Sequence, residues 1–200
     1  MTIQQAMSHA RAYLKVAPTY LEVEEVRMAN TINSIIGSFY RWHWATAAGT
    51  DISLSNAVQD YSLATADQNT VLAVQNAYLT DASNTYPELV IDGDHALPVT
   101  ATTGRPHTFC LISPTQIRFF VTPNGTFTFK WRKHKRPTVF TGNTESFDCP
   151  SAFDAIVKSG MNWQALSYKD DSRAPEHQKA FYDLLAEQKT IERVAMGRTR

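Results

Sequence analysis

Only two of the 200 residues are cysteine, Cys110 and Cys149, and they stand far apart. That excludes a disulfide framework or a CxxC pair and fits a reducing compartment; each reads as a small apolar side chain. No apolar run approaches the roughly 20 residues that cross a bilayer. The opening stretch, MTIQQAMSHARAYLK, is too polar for a secretory signal. A soluble protein, made in the cytoplasm and not exported by a signal peptide, is expected. Catalytic signatures are lacking too. There is no GxSxG, no GxxxxGK[ST] and no GxGxxG. The histidines, His9, His43, His95, His107, His134 and His177, never fall at HxxxH or HExxH spacing. Asp92, Asp94 and His95 read as a turn before they read as a metal site, and Asp170-Asp171 as a solvated loop. Neither a metal, a cofactor nor an enzymatic activity is expected.

A further absence is regional. From Asp51 to Asp94 there is no Lys or Arg among seven acidic residues: Asp51, Asp60, Asp67, Asp81, Glu88, Asp92 and Asp94. From Arg105 to Arg136 there is no Asp or Glu among seven basic ones. Formal net charge is zero, which argues against a dedicated nucleic-acid binder, but the middle of the chain is split by sign. The composition, 43% apolar and 19% charged, is that of one globular domain, or of one domain with a large insert.

What is present is helical pattern at both ends and strand pattern between. Residues 3–16 read as a helix with Thr2 as N-cap, ended by Pro18. A second helix carries the stripe Met28, Ile32, Ile35, Phe39 and Trp42 and ends near Trp44. Glu22, Glu24 and Glu25 favour its dipole. Gly37 inside it costs ~1 kcal/mol against Ala, which implies a close neighbour. Strand-length alternation follows at Asp51–Ser55, Asp60–Leu63, Val71–Tyr78 and Leu89–Ile91. Asp92-Gly93-Asp94 reads as a turn and 95–106 as a loop. Strands are expected at 107–112, 116–122 and 126–133, joined by turns at Ser113-Pro114-Thr115 and Pro123-Asn124-Gly125, the Asn-Gly being a hairpin signal. Phe127, Phe129 and Trp131 share one face. Helix returns after Asp148, a possible cap, and Pro150, with Phe153, Ile156, Val157 and Gly160 along one side. A last helix from near Pro175 shows Phe181, Leu184, Leu185 and Ile191. The end, 196–200, carries no apolar stripe and is expected to fray, and the segment 192–200, with few apolar residues, is expected to be mobile in the monomer.

The fold class is therefore α+β: a bundle of about four helices formed by both chain ends, with a central antiparallel β-rich insert. The expected division is 1–48 and 145–195 for the bundle, 49–144 for the insert and 196–200 for a flexible tail. The sharpest local feature is the basic run Lys130, Trp131, Arg132, Lys133, His134, Lys135 and Arg136. Three readings stand open: phosphate contact with Trp131 stacking, a solvated strand end, or steering towards an acidic protein face.

In order and spacing the chain resembles a known family. The opening helices end in Phe39-Tyr40-Arg41-Trp42-His43-Trp44. Two short strands follow, Ile52–Ser55 and Asp60–Leu63. Then come Gly104-Arg105-Pro106 with Phe109 and Leu111, Gln116-Ile117-Arg118-Phe119 running to Pro123, and Phe147-Asp148-Cys149-Pro150 before a helical hairpin. This is similar to the head-to-tail adaptor (connector) proteins of tailed bacteriophages, over nearly the whole length.

The resemblance implies a structural virion protein rather than an enzyme. It implies a homo-oligomeric ring, commonly of twelve copies, docked on the portal. Tail or nozzle proteins would sit on the other side, and genomic DNA would pass through the lumen. Its place would be the virion neck, after assembly in host cytoplasm, with no membrane contact and no cofactor. The C-terminal segment, with Arg193, Met196, Arg198 and Arg200, is expected to reach the portal. Ring subunits that meet head to tail need two different faces. The basic run (Lys130, Arg132, Lys133, Lys135, Arg136) is one candidate, facing a neighbour or DNA. The acidic half (Asp51, Asp60, Asp81, Glu88, Asp92, Asp94) is its complement. The alternative is that the two halves pair within one subunit. Rival readings are another neck or tail ring protein (a tail terminator or a nozzle-adjacent ring), a small nucleic-acid-binding module using 130–136, or a hydrolase.

Overall fold

The computed structural model describes residues 1–91 and 102–197. The helices are α1 (Ile3–Leu14), α2 (Glu25–Phe39), α3 (Asp154–Tyr168) and α4 (Ala174–Ala195). The strands are β1 (Thr46–Ala48), β2 (Ile52–Leu54), β3 (Asp60–Ser62), β4 (Val71–Thr80), β5 (Val90–Ile91), β6 (Thr103–Gly104), β7 (Thr108–Ser113), β8 (Gln116–Phe119), β9 (Thr122–Pro123) and β10 (Phe127–Lys135). Four helices at the ends and a β-rich middle make the expected α+β fold. The chain divides into two compact units, one of residues 1–45 with 137–200 and one of residues 46–136.

The helical unit begins with a capping box. Thr2 accepts from the Gln5 amide while the Gln5 side chain accepts from the Thr2 amide, satisfying two otherwise unpaired donors. α1 stops at Leu14, before Pro18, because Lys15 turns left-handed (φ 53°). α2 ends at Phe39 rather than near Trp44, since Tyr40 is extended. Its buried face is Glu25, Met28, Ala29, Ile32, Asn33, Ile36 and Gly37; Ile36 joins the stripe fully buried, while Ile35 and Phe39 pack partly buried against the same core. Trp42 lies beyond the helix, yet is fully buried and donates to the Ile36 carbonyl at 2.5 Å. The tight spot at Gly37 is real: a Cβ there would fall 2.3 Å from Pro137 Cγ. Gly160 on α3 meets Ile32 and Phe181 in the same way, and Phe153, Ile156, Val157 and Gly160 all face inward. Asp148 does not cap α3. Its carboxylate accepts from Thr138 N and Oγ1 and from Asn33 Nδ2, tying the return of the chain to α2. One core spans both chain ends, with Ile3, Ile32, Trp42, Phe153, Met161 and Phe181 among its members.

In the β unit, β10 pairs antiparallel with β4 on one side and with β1 and β2 on the other. A second sheet runs β3-β8-β7-β5, antiparallel except for the β5–β7 pair. β6, within what reads as loop from sequence, pairs parallel with β9, where the expected strand 116–122 gives way to the turn at Pro123. The β7–β8 hairpin forms around Ser113-Pro114-Thr115 as expected. The second expected hairpin does not form, because β8 and β10 belong to different sheets. Among the described residues the only glycine at positive φ is Gly197, so Asn124-Gly125 lacks the left-handed pair that a tight hairpin turn requires. The 92–94 turn and most of the 95–106 loop lie outside the described residues. Phe109, Phe119 and Phe129 meet edge-on or tilted at 5.1–6.1 Å and centre the second core.

Candidate functional site

The charged residues singled out from the sequence separate into those used within the chain and those presented outward. In β10, Phe127, Phe129 and Trp131 face inward, and the same two-residue period carries Lys133 in with them. Lys133 Nζ donates to Asp67 Oδ1 and to Thr70 Oγ1, both at 2.6 Å, and the two charged side chains are 6% and 4% exposed. Thr50 N donates to the other Asp67 oxygen at 2.8 Å. Burial pushes the Asp67 carboxyl up, but the bonds from Lys133 and Thr50 outweigh it and hold it below its ordinary range. Lys133 therefore fixes the 67–70 turn against the sheet and adds nothing to a surface patch.

Two more acidic residues find partners in the unit. Asp60 stands opposite Arg118 in the β3–β8 ladder and takes a forked pair of bonds at 2.7 and 2.6 Å. Those bonds hold Asp60 below the usual carboxylate range and Arg118 above its own. Asp51 lies 3.9 Å from Lys130. Asp81 builds a turn instead, accepting from the Ser83 and Asn84 amides and from the Tyr86 hydroxyl. The Tyr86 bond leads in lowering its pKa, to about 2. Asp92 and Asp94 lie outside the described residues.

What remains outward is shorter. Arg132, Lys135 and Arg136 are exposed at the end of β10. Arg132 reaches Thr46 Oγ1 at 3.3 Å, and Arg136 Nε donates to the Val71 carbonyl at 2.9 Å. On the acidic side Glu88 is exposed. Among the described residues, neither Glu88 nor Arg136 takes part in an ion pair.

At the C-terminus, residues 192–195 are the last turn of α4 rather than frayed chain. Glu192 holds them, accepting from the His43 amide at 2.7 Å, while Lys189 Nζ stands 5.5 Å from the Tyr40 ring. Burial raises the Glu192 pKa and the His43 bond only partly opposes it. Arg193 rides on this turn, Met196 follows half-buried, and Arg198 and Arg200 lie outside the described residues. Ile191 is 52% and Val194 58% exposed, so Ile191 leaves the core stripe expected of it. The cysteines are buried, and burial pushes the Cys149 thiol up to about 12, the behaviour of a packing residue.

Among the described residues, no group of three or more His, Cys, Asp or Glu is placed to hold a metal ion, and no helix is long and apolar enough to cross a membrane. The profile of one protein family, described as SU10 adaptor protein, matches residues 1–200. The chain belongs to that family. It is a phage adaptor, in keeping with the head-to-tail resemblance. No curated protein matches it.

Proposed function

We propose that this adaptor is a structural ring protein of the phage neck, joining the capsid portal to the tail and leaving a central passage for DNA. The family match over all 200 residues carries the reading. Twelve copies would form the ring, assembled in host cytoplasm, with portal on one side and tail or nozzle proteins on the other. The segment from Arg193 through Met196, Arg198 and Arg200 is the portal contact. With 192–195 helical and anchored through Glu192, the part that reorganises on docking starts after Ala195. The units 1–45 with 137–200 and 46–136 serve as body and insert. Lys130, Arg132, Lys135 and Arg136 face a neighbouring subunit or the lumen.

Electron microscopy of the purified protein mixed with its portal tests this. Rings stacked on the portal are expected from the full chain, and rings that detach are expected after deletion of 196–200. A protein that stays monomeric and leaves the portal bare would overturn the reading. The exposed cations at the end of β10 favour a second reading, a nucleic-acid-binding module. It requires affinity for DNA that falls steeply with salt.

A further inference from the structure

β4 contains two irregularities against β10. The register passes from Arg132↔Asn76 to Lys133↔Val74, and from His134↔Ala73 to Lys135↔Val71. The extra residues are therefore Gln75 and Leu72. A bulge re-aims the side chain it carries, and Leu72 is left 42% exposed. It does not stand alone. Leu72 and Val71 line an open groove of about 350 Å³ together with Leu111 and Ile112 of β7, Pro114 of the hairpin turn and Arg136. The lining joins aliphatic side chains to two polar residues, Ser113 and the cation Arg136. That chemistry fits an aliphatic side chain with a carboxylate nearby.

The same unit presents such a feature elsewhere. Glu88 and Val90 alternate outward around the buried Leu89, and Val90 is 62% exposed. Two backbone bonds hold this segment rigidly, Leu89 N to Ala77 O at 2.8 Å and Val90 N to His107 O at 2.9 Å. Val90 pairs beside Thr108 at the start of β7, whereas the groove uses the far end of that strand. Three to five residues of strand separate them, roughly 10–17 Å. Held there by its own ladder, the 88–90 segment cannot enter the groove of its own chain.

We propose that the Glu88–Val90 knob of one copy seats in the Leu72–Arg136 groove of the next, with Val90 among the aliphatic side chains and Glu88 against Arg136. The occupant is a second copy of this chain because the complementary knob is on the same molecule and its charge matches. Within the charge-split middle, Asp51, Asp60 and Asp67 already have partners in their own chain. Glu88 and Arg136 have no ion-pair partner among the described residues, Arg136 donating only to backbone carbonyls. Knob and groove are different surfaces, so the contact is heterologous, the kind that generates a ring when the rotation between copies closes. The inference rests on the ring reading above and names its contact. The exposed charge pair sets register and partner choice more than affinity.

The test uses full-length protein with its portal. The Val90→Cys/Leu72→Cys double variant should give a disulfide-linked ladder between neighbouring copies under oxidation, and neither single variant should. Glu88→Arg and Arg136→Glu should each lower the yield of rings about ten-fold, and the combined swap should restore it. Circular dichroism confirms that each variant folds; Glu88→Arg touches no side-chain bond among the described residues, so its result stands if Arg136→Glu is unstable. Wild-type rings without the ladder, or rings unaffected by Glu88→Arg, would overturn this contact and leave the ring reading standing. Intact rings in which Arg136→Glu weakens only DNA retention would overturn it in favour of a lumen-facing arginine. Absence of wild-type rings would sink both.

Discussion

The two units each bury an apolar core and one ion pair, and they do so differently. In the helical unit Arg11 and Glu25 join α1 to the start of α2, with side chains 9% and 2% exposed. Arg11 Nε also donates to the Tyr20 carbonyl, and Asn143 donates to the second Glu25 oxygen. The pair therefore stitches two loops to helices that already satisfy their own backbones. In the β unit Lys133 and Asp67 draw a turn onto a strand whose backbone is saturated on both sides by β4 and β1. The helical core mixes aliphatic and aromatic side chains; the β core is centred on three phenylalanines. In both units the buried charges also bond to neutral neighbours, Tyr20 and Asn143 in one and Thr50 and Thr70 in the other, which offsets the cost of their desolvation.

The largest test of this comparison is to empty each core in turn. Phe181→Ala and Phe129→Ala remove fully buried rings and should each cost about 3–5 kcal/mol. Limited proteolysis should then cut mainly within 46–136 for Phe129→Ala, and mainly outside it for Phe181→Ala. Identical cleavage patterns would break the division into units.

Next comes the ion pair. Lys133→Met leaves Asp67 buried and should cost about 3 kcal/mol, the low end for such a loss, because the Thr50 amide still serves the carboxylate. The pH dependence should also change sign. In the wild type the Asp67 pKa is lowered, so its contribution is present above the ordinary carboxylate value and lost as pH falls through the depressed one. Without Lys133, burial dominates and raises that pKa, so the variant should regain stability on mild acidification. Chemical denaturation from pH 3 to pH 7 reads this directly, and parallel curves for the two proteins would refute it.

The smallest effect is expected at Glu192. Its pKa is raised, so the ionised form is the less favourable one in the folded chain, and the stability linked to its protonation is lost as pH rises through the folded value. Glu192→Gln keeps an acceptor for the His43 amide and removes the charge. Tm should rise at neutral pH by at most about 2 °C, with the gain vanishing once the wild-type glutamate is protonated. A fall in Tm would show that the charge itself holds the last turn of α4.

Much of this was legible because it depends on local periodicity. The Thr2 cap, the Phe153–Gly160 face, the β7–β8 hairpin and the close approach at Gly37 follow from spacing and residue type. The same reasoning faltered where a partner distant in sequence decides. Ile36 is buried more fully than Ile35 because α2 packs against chain from the far end, where Asn33 meets Asp148 and Gly37 meets Pro137. Asn124-Gly125 does not make a hairpin because the flanking strands join different sheets. At Lys133 the signal was available: the period that places Phe127, Phe129 and Trp131 inward continues to it, and the surrounding cations hide it.

By itself the sequence determined the class of fold, helices from both ends around a strand-rich middle, and a middle divided by charge. Apolar periodicity sets which element forms, and composition sets sign. Only the tertiary structure decided which charges remain for partners. Whether Asp60, Asp67 or Glu88 faces a neighbour depends on what the opposite strand brings within hydrogen-bond reach, and that register is set by bulges and by packing between residues far apart in the chain.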